Sequence, residues 1–134
     1  MSEPPTDRAR VPATPALRVQ VRDSRETDIE AVCAIYAHHV RHGTGSFELE
    51  PPSLDDIARR RSDVLANGFA HRVAEIDGEV AGYSTYGRNR VPSMPYSGEI
   101  FELYLSPQHQ GMGLGRRLFG AARRELADMV SFIQ

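Results

Sequence analysis

The sequence has no lysine, no tryptophan and only one cysteine, and it contains no long apolar run. The single Cys33 excludes an intrachain disulfide, and its place in an apolar helical pattern favours a buried thiol in a reducing compartment. No apolar stretch approaches the ~20 residues that a bilayer span requires. The sequence therefore predicts a cytoplasmic protein with no membrane partner.

Neither sign of charge dominates the chain. Its 16 basic and 18 acidic residues leave a formal net charge of −2, and no stretch collects five like charges, so nothing predicts binding to nucleic acid. All the basic residues are arginines, which bind phosphates well, but they are spread along the whole chain, and this favours genomic base composition as the cause. The triplet Arg59, Arg60 and Arg61 lies near Asp56 and Asp63, which favours an ion-paired helix face over a phosphate site.

Size and patterning indicate one globular domain. The chain has 134 residues, of which 40% are hydrophobic, enough for a modest core. Residues 1–16 contain four prolines and almost nothing that folding would bury, so we expect a disordered leader there. Residues 17–134 carry the periodic patterns of a folded domain.

Hydrophobic periodicity predicts four strands and three helices. The strands are expected over residues 17–22, 69–76, 79–86 and 99–105. Apolar residues at steps of three and four predict helices over residues 29–40, 54–66 and 116–129. The predicted order is β-α-α-β-β-β-α, a mixed α/β (α+β) fold.

Local signals predict how these elements begin and turn. Ser24 or Thr27 is expected to cap the first helix, and Ser53 with Asp56 resembles a capping box at the start of the second. The dipeptide Asp77–Gly78 between apolar segments predicts a tight hairpin, because both of its positions must tolerate positive φ.

A glycine run follows the fourth predicted strand and opens the last helix. Its residues are Gln108, His109, Gln110, Gly111, Met112, Gly113, Leu114 and Gly115. Glycines let backbone N–H groups approach a pyrophosphate, and a helix N-terminus favours an anion. The run lacks the Gly-Lys-Ser/Thr ending of a nucleotide-triphosphate loop and matches Gln-x-x-Gly-x-Gly instead. The alternative is a tight turn that only connects a strand to a helix.

With the preceding Leu-Tyr-Leu-Ser-Pro, the glycine run resembles the GNAT superfamily of N-acetyltransferases. Residues 34–40, 44–48, 50–54 and 77–87 resemble the subgroup that acetylates phosphinothricin and methionine sulfoximine. The resemblance covers about residues 17–128, although the strand over 99–105 differs from the subgroup's usual Val-Glu-x-Ser-Val-Tyr-Val. It implies a GNAT-like mixed sheet flanked by helices, and acetyl transfer from acetyl-CoA to the primary amine of a small, amino-acid-like molecule.

The resemblance also implies how acetyl-CoA binds. The main chain of Leu103, Tyr104 and Leu105 pairs with the pantetheine amides like an additional strand. The pyrophosphate is held by the backbone amides of Gln110, Gly111, Met112, Gly113, Leu114, Gly115 and Arg116. No metal is required, because the thioester is already activated.

Acyl transfer needs a base for the proton of the attacking amine and a donor for the oxyanion. Glu99 and Glu102, on the strand beside the expected thioester, are the candidates for the base, with Glu99 as the first choice and Glu102 as the second. Glu99 lies eleven residues before Gln110, where several similar proteins carry a catalytic glutamate, whereas the subgroup's own glutamate falls at Ile100. Strand alternation predicts that Glu99 and Glu102 point to opposite faces. A surface carboxylate without a catalytic role is the alternative for either residue.

The acceptor cleft is expected beside the loop 42–48, which forms one wall of it in similar proteins. Phe47, Glu48 and Tyr86 are the candidate acceptor-binding residues, and packing roles are the alternatives for the two aromatic side chains. His38, His39 and His42 resemble a metal cluster, but adjacent helical residues point about 100° apart and no acidic or thiol partner has ligand spacing. Surface or loop packing is therefore expected for these histidines.

The remaining third of the superfamily fold has no counterpart in this sequence. That third comprises a strand splayed from the fourth one, a helix with a frequent general-acid tyrosine, and a closing hairpin. Residues 130–133 are either the last helical turn or the start of the splayed strand. An exposed sheet edge is therefore expected, which favours a homodimer or strand exchange. Three alternatives stay open: an active acetyltransferase, an acyl-CoA-binding module without turnover, and a truncated remnant.

Overall fold

The computed structural model describes residues 18–43, 48–88, 98–111 and 113–133, and the side chains among them up to residue 127. The expected leader over residues 1–16, the candidate acceptor residue Phe47 and the glycine-run residue Met112 lie outside the described residues.

Within the described ranges, four antiparallel strands form one sheet with three helices packed on it. The strands are β1 (Val19–Asp23), β2 (Ala70–Ile76), β3 (Glu79–Arg88) and β4 (Gly98–Leu105), and they neighbour one another in that order. The helices are α1 (Ile29–Arg41), α2 (Leu54–Ala66) and α3 (Leu114–Ile133). The predicted order of elements is confirmed, and residues 130–133 continue α3 rather than starting a strand.

Two of the predicted local signals are confirmed. Asp77 (φ 50°) and Gly78 (φ 87°) form the hairpin turn between β2 and β3. At the start of α2, Ser53 Oγ accepts from the Asp56 backbone N–H at 3.1 Å, and the Asp56 carboxylate accepts from the Ser53 N–H at 3.3 Å. The hairpin turn and the capping box each depend only on residues within four positions of one another.

The predicted cap of the first helix is wrong. A short 3₁₀ turn over Glu26–Asp28 precedes α1, and the Asp28 carboxylate, not Ser24 or Thr27, accepts the free backbone N–H of Arg25 at 2.7 Å. Arg22 binds the same carboxylate at 2.8 and 3.0 Å and holds its pKa below the usual value. The N-cap residue of α1, Asp28, makes no side-chain cap hydrogen bond, and its ion pair with Arg22 ties β1 to this turn.

The sheet has two differently covered faces. Helices α1 and α2 cover the face that we call the α1/α2 face, and its buried core consists of Val32, Ile35, Tyr36, Val40, Ile57, Val73 and Tyr83. Helix α3 covers the other face, called the α3 face, where the buried residues are Ala74, Ile76, Ala81, Leu114 and Leu118. Apolar burial on both sides therefore holds β3 in the middle of the molecule.

Two expectations about α1 need correction. His39 is only 8% exposed, so the surface packing expected for the three histidines is wrong for this one. Cys33 is half-buried rather than buried, and its Sγ lies 3.7 Å from the Pro52 carbonyl oxygen.

The expectation of a polar, ion-paired face for the arginine triplet is confirmed. Arg59 pairs with Asp56, Arg60 pairs with Glu48, and Arg61 donates to the side chain and the carbonyl of Ser24. Across the part of the chain that the structure describes, no helix is both long and apolar enough to cross a membrane.

Candidate active site

The glycine run forms a surface of main-chain groups between β4 and α3. Gly111 and Gly113 adopt φ of +83° and +77°, a backbone conformation that residues other than glycine rarely adopt. A Cβ atom built at either position has no other heavy atom within 4 Å, so the space in front of both residues is open. The backbone here is therefore accessible to a ligand that binds main-chain groups.

The first turn of α3 completes this surface. Its leading N–H groups have no acceptor within the helix, and the turn holds no acidic residue, whereas Arg116 and Arg117 are exposed there. The Leu114 side chain is 2% exposed and belongs to the core, so only its backbone is available to a ligand. At Gly115 a Cβ would lie 3.4 Å from the Leu105 side chain, an ordinary van der Waals distance, so the start of α3 is close to the end of β4.

Positive charge continues from the glycine run along α3. A cavity of about 930 Å³ lies between α3 and β1. Its lining contains four arginines and one glutamate among Val19, Val21, Arg72, Gly113, Arg116, Arg117, Gly120, Ala121, Arg124 and Glu125. Arg72 is already paired with Glu125 and Asp23, so the exposed Arg116 and Arg117 supply the charge nearest to the glycines.

Strand β4 has a neighbour on one side only among the described residues, and we call its other side the free edge. The Ser106 backbone N–H donates to the Ala81 carbonyl at 2.8 Å, so Ser106 points toward β3. Because main-chain groups alternate in direction along a strand, Tyr104 also points toward β3, whereas Leu103 and Leu105 point to the free edge. The free edge therefore presents the N–H and C=O groups of Leu103 and Leu105, of which the Leu105 carbonyl oxygen lies 2.9 Å from His39 Nε2.

A β-bulge at Phe101 changes the direction of the two glutamates. Thr85 lies opposite Glu102 and Tyr86 lies opposite Ile100, so Phe101 is an extra residue in β4. Glu99 lies opposite Gly87, two residues from Thr85 on the same face of β3. Glu99 and Glu102 therefore share the α1/α2 face, and the prediction of opposite faces from simple alternation is wrong.

Glu102 is half-buried and hydrogen-bonded on the α1/α2 face. Its carboxylate accepts hydrogen bonds from Tyr83 Oη at 3.3 Å and from Thr85 Oγ1 at 3.2 Å. Burial disfavours the charged form and raises the pKa of Glu102, although both hydrogen bonds act in the opposite direction. The carboxyl group is therefore held near a tyrosine that is only 2% exposed.

A cavity of about 470 Å³ lies beside this carboxylate, between the end of α2 and β4. This Glu102 cavity is lined by Asp63, Val64, Asn67, Phe69, Thr85, Phe101 and Glu102. Phe69 and Phe101 form an edge-to-face pair with ring centroids 4.9 Å apart. Sequence reasoning missed this pair, because only the bulge brings Phe101 to the same face as its neighbour Glu102.

Glu48 links helix α1 to helix α2. Its carboxylate accepts from Tyr36 Oη at 2.8 Å and from the Arg60 guanidinium at 2.7 and 3.3 Å. The Arg60 partner lowers the pKa of Glu48, and the Arg60 Cζ lies 5.9 Å from the centre of the Tyr36 ring. Glu48 is therefore anchored to α1 and α2 by charge and by a phenol.

The structure does not bring Tyr86 to the side of the sheet that carries Glu102. The Tyr86 ring is 1% exposed on the α3 face, and its hydroxyl donates to the Glu125 carboxylate. Burial raises the pKa of Tyr86 further above its usual value. Within the described residues, no group of three His, Cys, Asp or Glu side chains is arranged to hold a metal ion.

Comparison with known proteins gives one consistent family. The sequence profile of the acetyltransferase (GNAT) family matches residues 32–133. A phosphinothricin N-acetyltransferase from Alcaligenes faecalis is 41% identical over 99 residues, which cover 73% of this chain and 50% of that protein. An L-amino acid N-acyltransferase from Escherichia coli (strain K12) is 31% identical over 111 residues, which cover 82% of this chain and 64% of that protein. The chain thus spans about half to two-thirds of these relatives.

The fold comparison agrees with the sequence comparison. A GNAT superfamily phosphinothricin acetyltransferase from Sinorhizobium meliloti, solved in complex with acetyl-CoA, superposes with a TM-score of 0.71 and 28% identity. The match covers 81% of this chain and 59% of that one.

Proposed function

The chain belongs to the acetyltransferase (GNAT) family, and on that premise we propose that it transfers an acetyl group from acetyl-CoA to the primary amine of a small, amino-acid-like molecule. One observation carries the proposal. The open glycine run with positive φ at Gly111 and Gly113 lies at the N-terminus of α3, directly after the free edge of β4. A pyrophosphate followed by an amide-bearing chain fits that succession of N–H groups and strand edge.

The geometry supports the following cofactor contacts. Backbone N–H groups of Gln110, Gly111, Met112, Gly113, Leu114, Gly115 and Arg116 hold the pyrophosphate. The pantetheine amides pair along the Leu103–Leu105 segment, where the outward-pointing main-chain groups belong to Leu103 and Leu105. Acetyl-CoA supplies an activated thioester, so the residues around it have only to orient an amine and accept its proton.

Glu102 is the proposed general base. Its pKa is raised by burial, and a base whose pKa lies closer to the working pH transfers protons efficiently. It lines a cavity large enough for a small amine, and the hydroxyl groups of Tyr83 and Thr85 fix its direction. The free-edge N–H of Leu103 is the donor that this arrangement offers to the oxyanion. Glu99, on the same face, is the alternative base.

The acceptor is proposed to occupy the Glu102 cavity. Phe69 and Phe101 offer an apolar wall to its side chain, and the cavity places its amine beside Glu102. Glu48, through Tyr36 and Arg60, holds the helical side of the cleft, and Phe47 stays a predicted contact. Tyr86 has no place in this acceptor site because it lies on the α3 face.

A second candidate function is binding of acyl-CoA without turnover. It is supported by the independence of the two regions: the glycine run is built from main chain and needs none of the side chains around Glu102. A homodimer is also proposed: the free edge of β4 suits pairing with a second copy of the chain when no pantetheine chain occupies it, because both would use the same main-chain groups. Sedimentation of the purified chain measures that state directly.

Two measurements on the same sample separate the candidates. Calorimetric titration with acetyl-CoA measures binding, and release of free thiol in the presence of amino acids and polyamines measures transfer. We expect binding together with thiol release that depends on an added amine. Binding without release would favour the binding module, and absence of both would contradict the proposed function.

A further inference from the structure

His39 connects helix α1 to the end of β4. Its ring is 8% exposed, and its Nε2 lies 2.9 Å from the Leu105 carbonyl oxygen. A carbonyl oxygen only accepts, so Nε2 carries the proton and donates it. The His39 ring also packs on Tyr104, with centroids 4.8 Å apart. The histidine is therefore fixed by packing and by a hydrogen bond to the main chain of β4.

The acceptor of that hydrogen bond belongs to the free edge. Because the Ser106 N–H points toward β3, the Leu105 carbonyl points the other way, to the side where an incoming strand would pair. Leu105 is also the last residue of β4, and its side chain is next to Gly115 in the first turn of α3. His39 therefore acts on the free-edge group closest to the glycine run.

An extended chain pairs with a strand edge at every second residue, so its register can slip only in steps of two residues, about 7 Å. A ligand that is held at one end by the glycine run and paired along β4 must adopt one register for its reactive end to reach Glu102. By holding the direction of the Leu105 carbonyl, His39 determines where that pairing ends.

We propose that His39 is a positioning residue that fixes the register in which the pantetheine chain of acetyl-CoA pairs with the free edge of β4. The proposal rests on the proposed function, because it requires acetyl-CoA to lie along that edge. His39 itself touches neither the reacting atoms nor the phosphates. It acts through the Leu105 main chain.

The test compares two ligands and three variants by calorimetry. His39→Phe keeps a ring against Tyr104 but removes the donor, whereas His39→Gln keeps a donor. His38→Phe, one residue earlier on α1, is the matched control. Acetyl-CoA uses both the glycine run and the free edge, and ADP offers a pyrophosphate without pantetheine.

We expect His39→Phe to raise the Kd of acetyl-CoA by about tenfold, because the Leu105 carbonyl is no longer held in one direction before the pantetheine binds, and to leave the Kd of ADP unchanged. His39→Gln should restore the affinity to within about threefold, since its amide donates to the same carbonyl, and His38→Phe should bind both ligands like the wild type. If circular dichroism shows that His39→Phe does not fold, His39→Met carries the same expectation, because its flexible side chain fills the space without a donor.

Two results would overturn the proposal while leaving the proposed function intact. One is an unchanged Kd of acetyl-CoA in the donor-free variant. The other is an equal loss for acetyl-CoA and ADP, which would show that His39 only supports the fold around the site. Failure of the proposed function is visible earlier, in the wild type, as absence of acetyl-CoA binding.

Discussion

The glycine run and the Glu102 cavity are two neighbouring parts of one candidate site, but they are built from different chemistry. The glycine run presents main-chain N–H groups from consecutive residues, and its shape depends on positive φ at Gly111 and Gly113. The Glu102 cavity presents side chains from α2, β3 and β4 and from Phe69, which precedes β2. A main-chain site tolerates changes in its surroundings and fails when its backbone is altered, whereas a side-chain site fails when single groups are removed. Substitutions in each of the two parts test that difference.

The largest effect is expected at the Glu102 cavity. Glu102→Gln removes the proposed base and should lower turnover about a thousandfold, while the calorimetric Kd of acetyl-CoA stays unchanged. Glu99→Gln is the matched control, with the same substitution on the same face of β4, and we expect little loss. An equal or larger loss in the Glu99 variant would transfer the catalytic role to Glu99.

The second-largest expected effect is a loss of folding stability on acidification, and it also arises from a side chain rather than from main-chain groups. His71, stacked on Tyr83 with an interplanar angle of 12°, is buried, and burial lowers its pKa from 6.5 to about 4. As the pH falls from 6.5 toward 4, the imidazole therefore takes up its proton in the unfolded chain before it does so in the folded one. This histidine should cost about 2 kcal/mol of unfolding free energy between about pH 7 and pH 5.

The measurement for His71 is urea denaturation at both pH values. His71→Phe keeps the stack on Tyr83 and should flatten the loss of stability. The raised pKa of Glu102 works in the opposite sense, because the folded carboxyl group takes up its proton at higher pH than the unfolded one. Adding Glu102→Gln should therefore steepen the loss on acidification, and an unchanged slope in the His71 variant would show that other groups cause it.

A smaller effect is expected from the main-chain part. Gly113→Ala forces a side chain onto a residue at φ +77° and places a methyl group in the open space of the glycine run. We expect the Kd of acetyl-CoA to rise about tenfold. Gly68→Ala is a close control, since Gly68 has the same φ of +77° and the same open surroundings but lies at the end of α2. Equal Kd values in the two variants would contradict a phosphate site at Gly113.

The smallest effect is expected from exposed charge. Arg116→Gln should weaken acetyl-CoA binding only about threefold, because water and salt screen an exposed guanidinium. Arg123→Gln, an exposed arginine farther along α3, should change nothing. Loss of binding in the Arg116 variant comparable with that of Gly113→Ala would mean that side-chain charge, rather than main chain, holds the phosphates.

The difference between a site made of consecutive main-chain groups and one made of side chains from distant elements also decides how much of the molecule could be predicted from sequence. The hairpin at Asp77–Gly78, the capping box at Ser53 and the order of elements were predictable, because each signal is contained in a short segment. The glycine run belongs to this class, since its spacing and its position after a strand are local properties.

The side-chain part was predictable only in fragments. Glu102 was a candidate, but Phe69 and Phe101 were not, because an extra residue in β4 changes the direction of the chain and leaves no periodic signal. His39 was expected at the surface, since its partner, the Leu105 carbonyl, is 66 residues away along the chain. Pairings between distant elements have no local pattern from which to predict them.

Because of the bulge at Phe101, the face on which a β4 residue lies cannot be found by counting along the chain from Leu105. From Glu102 to Leu105 the even-numbered residues lie on the α1/α2 face, whereas from Gly98 to Ile100 that parity is inverted. Counting back from Leu105 places the subgroup's glutamate at Ile100, which shares the α3 face with Tyr86. The pairing of β4 with β3 instead places Glu99, one position earlier in the chain, on the same face as Glu102. A strand shortened by deletion of Phe101 would keep every remaining residue on its present face, so this one position absorbs a change in chain length, at the cost of one aromatic ring in the wall of the Glu102 cavity.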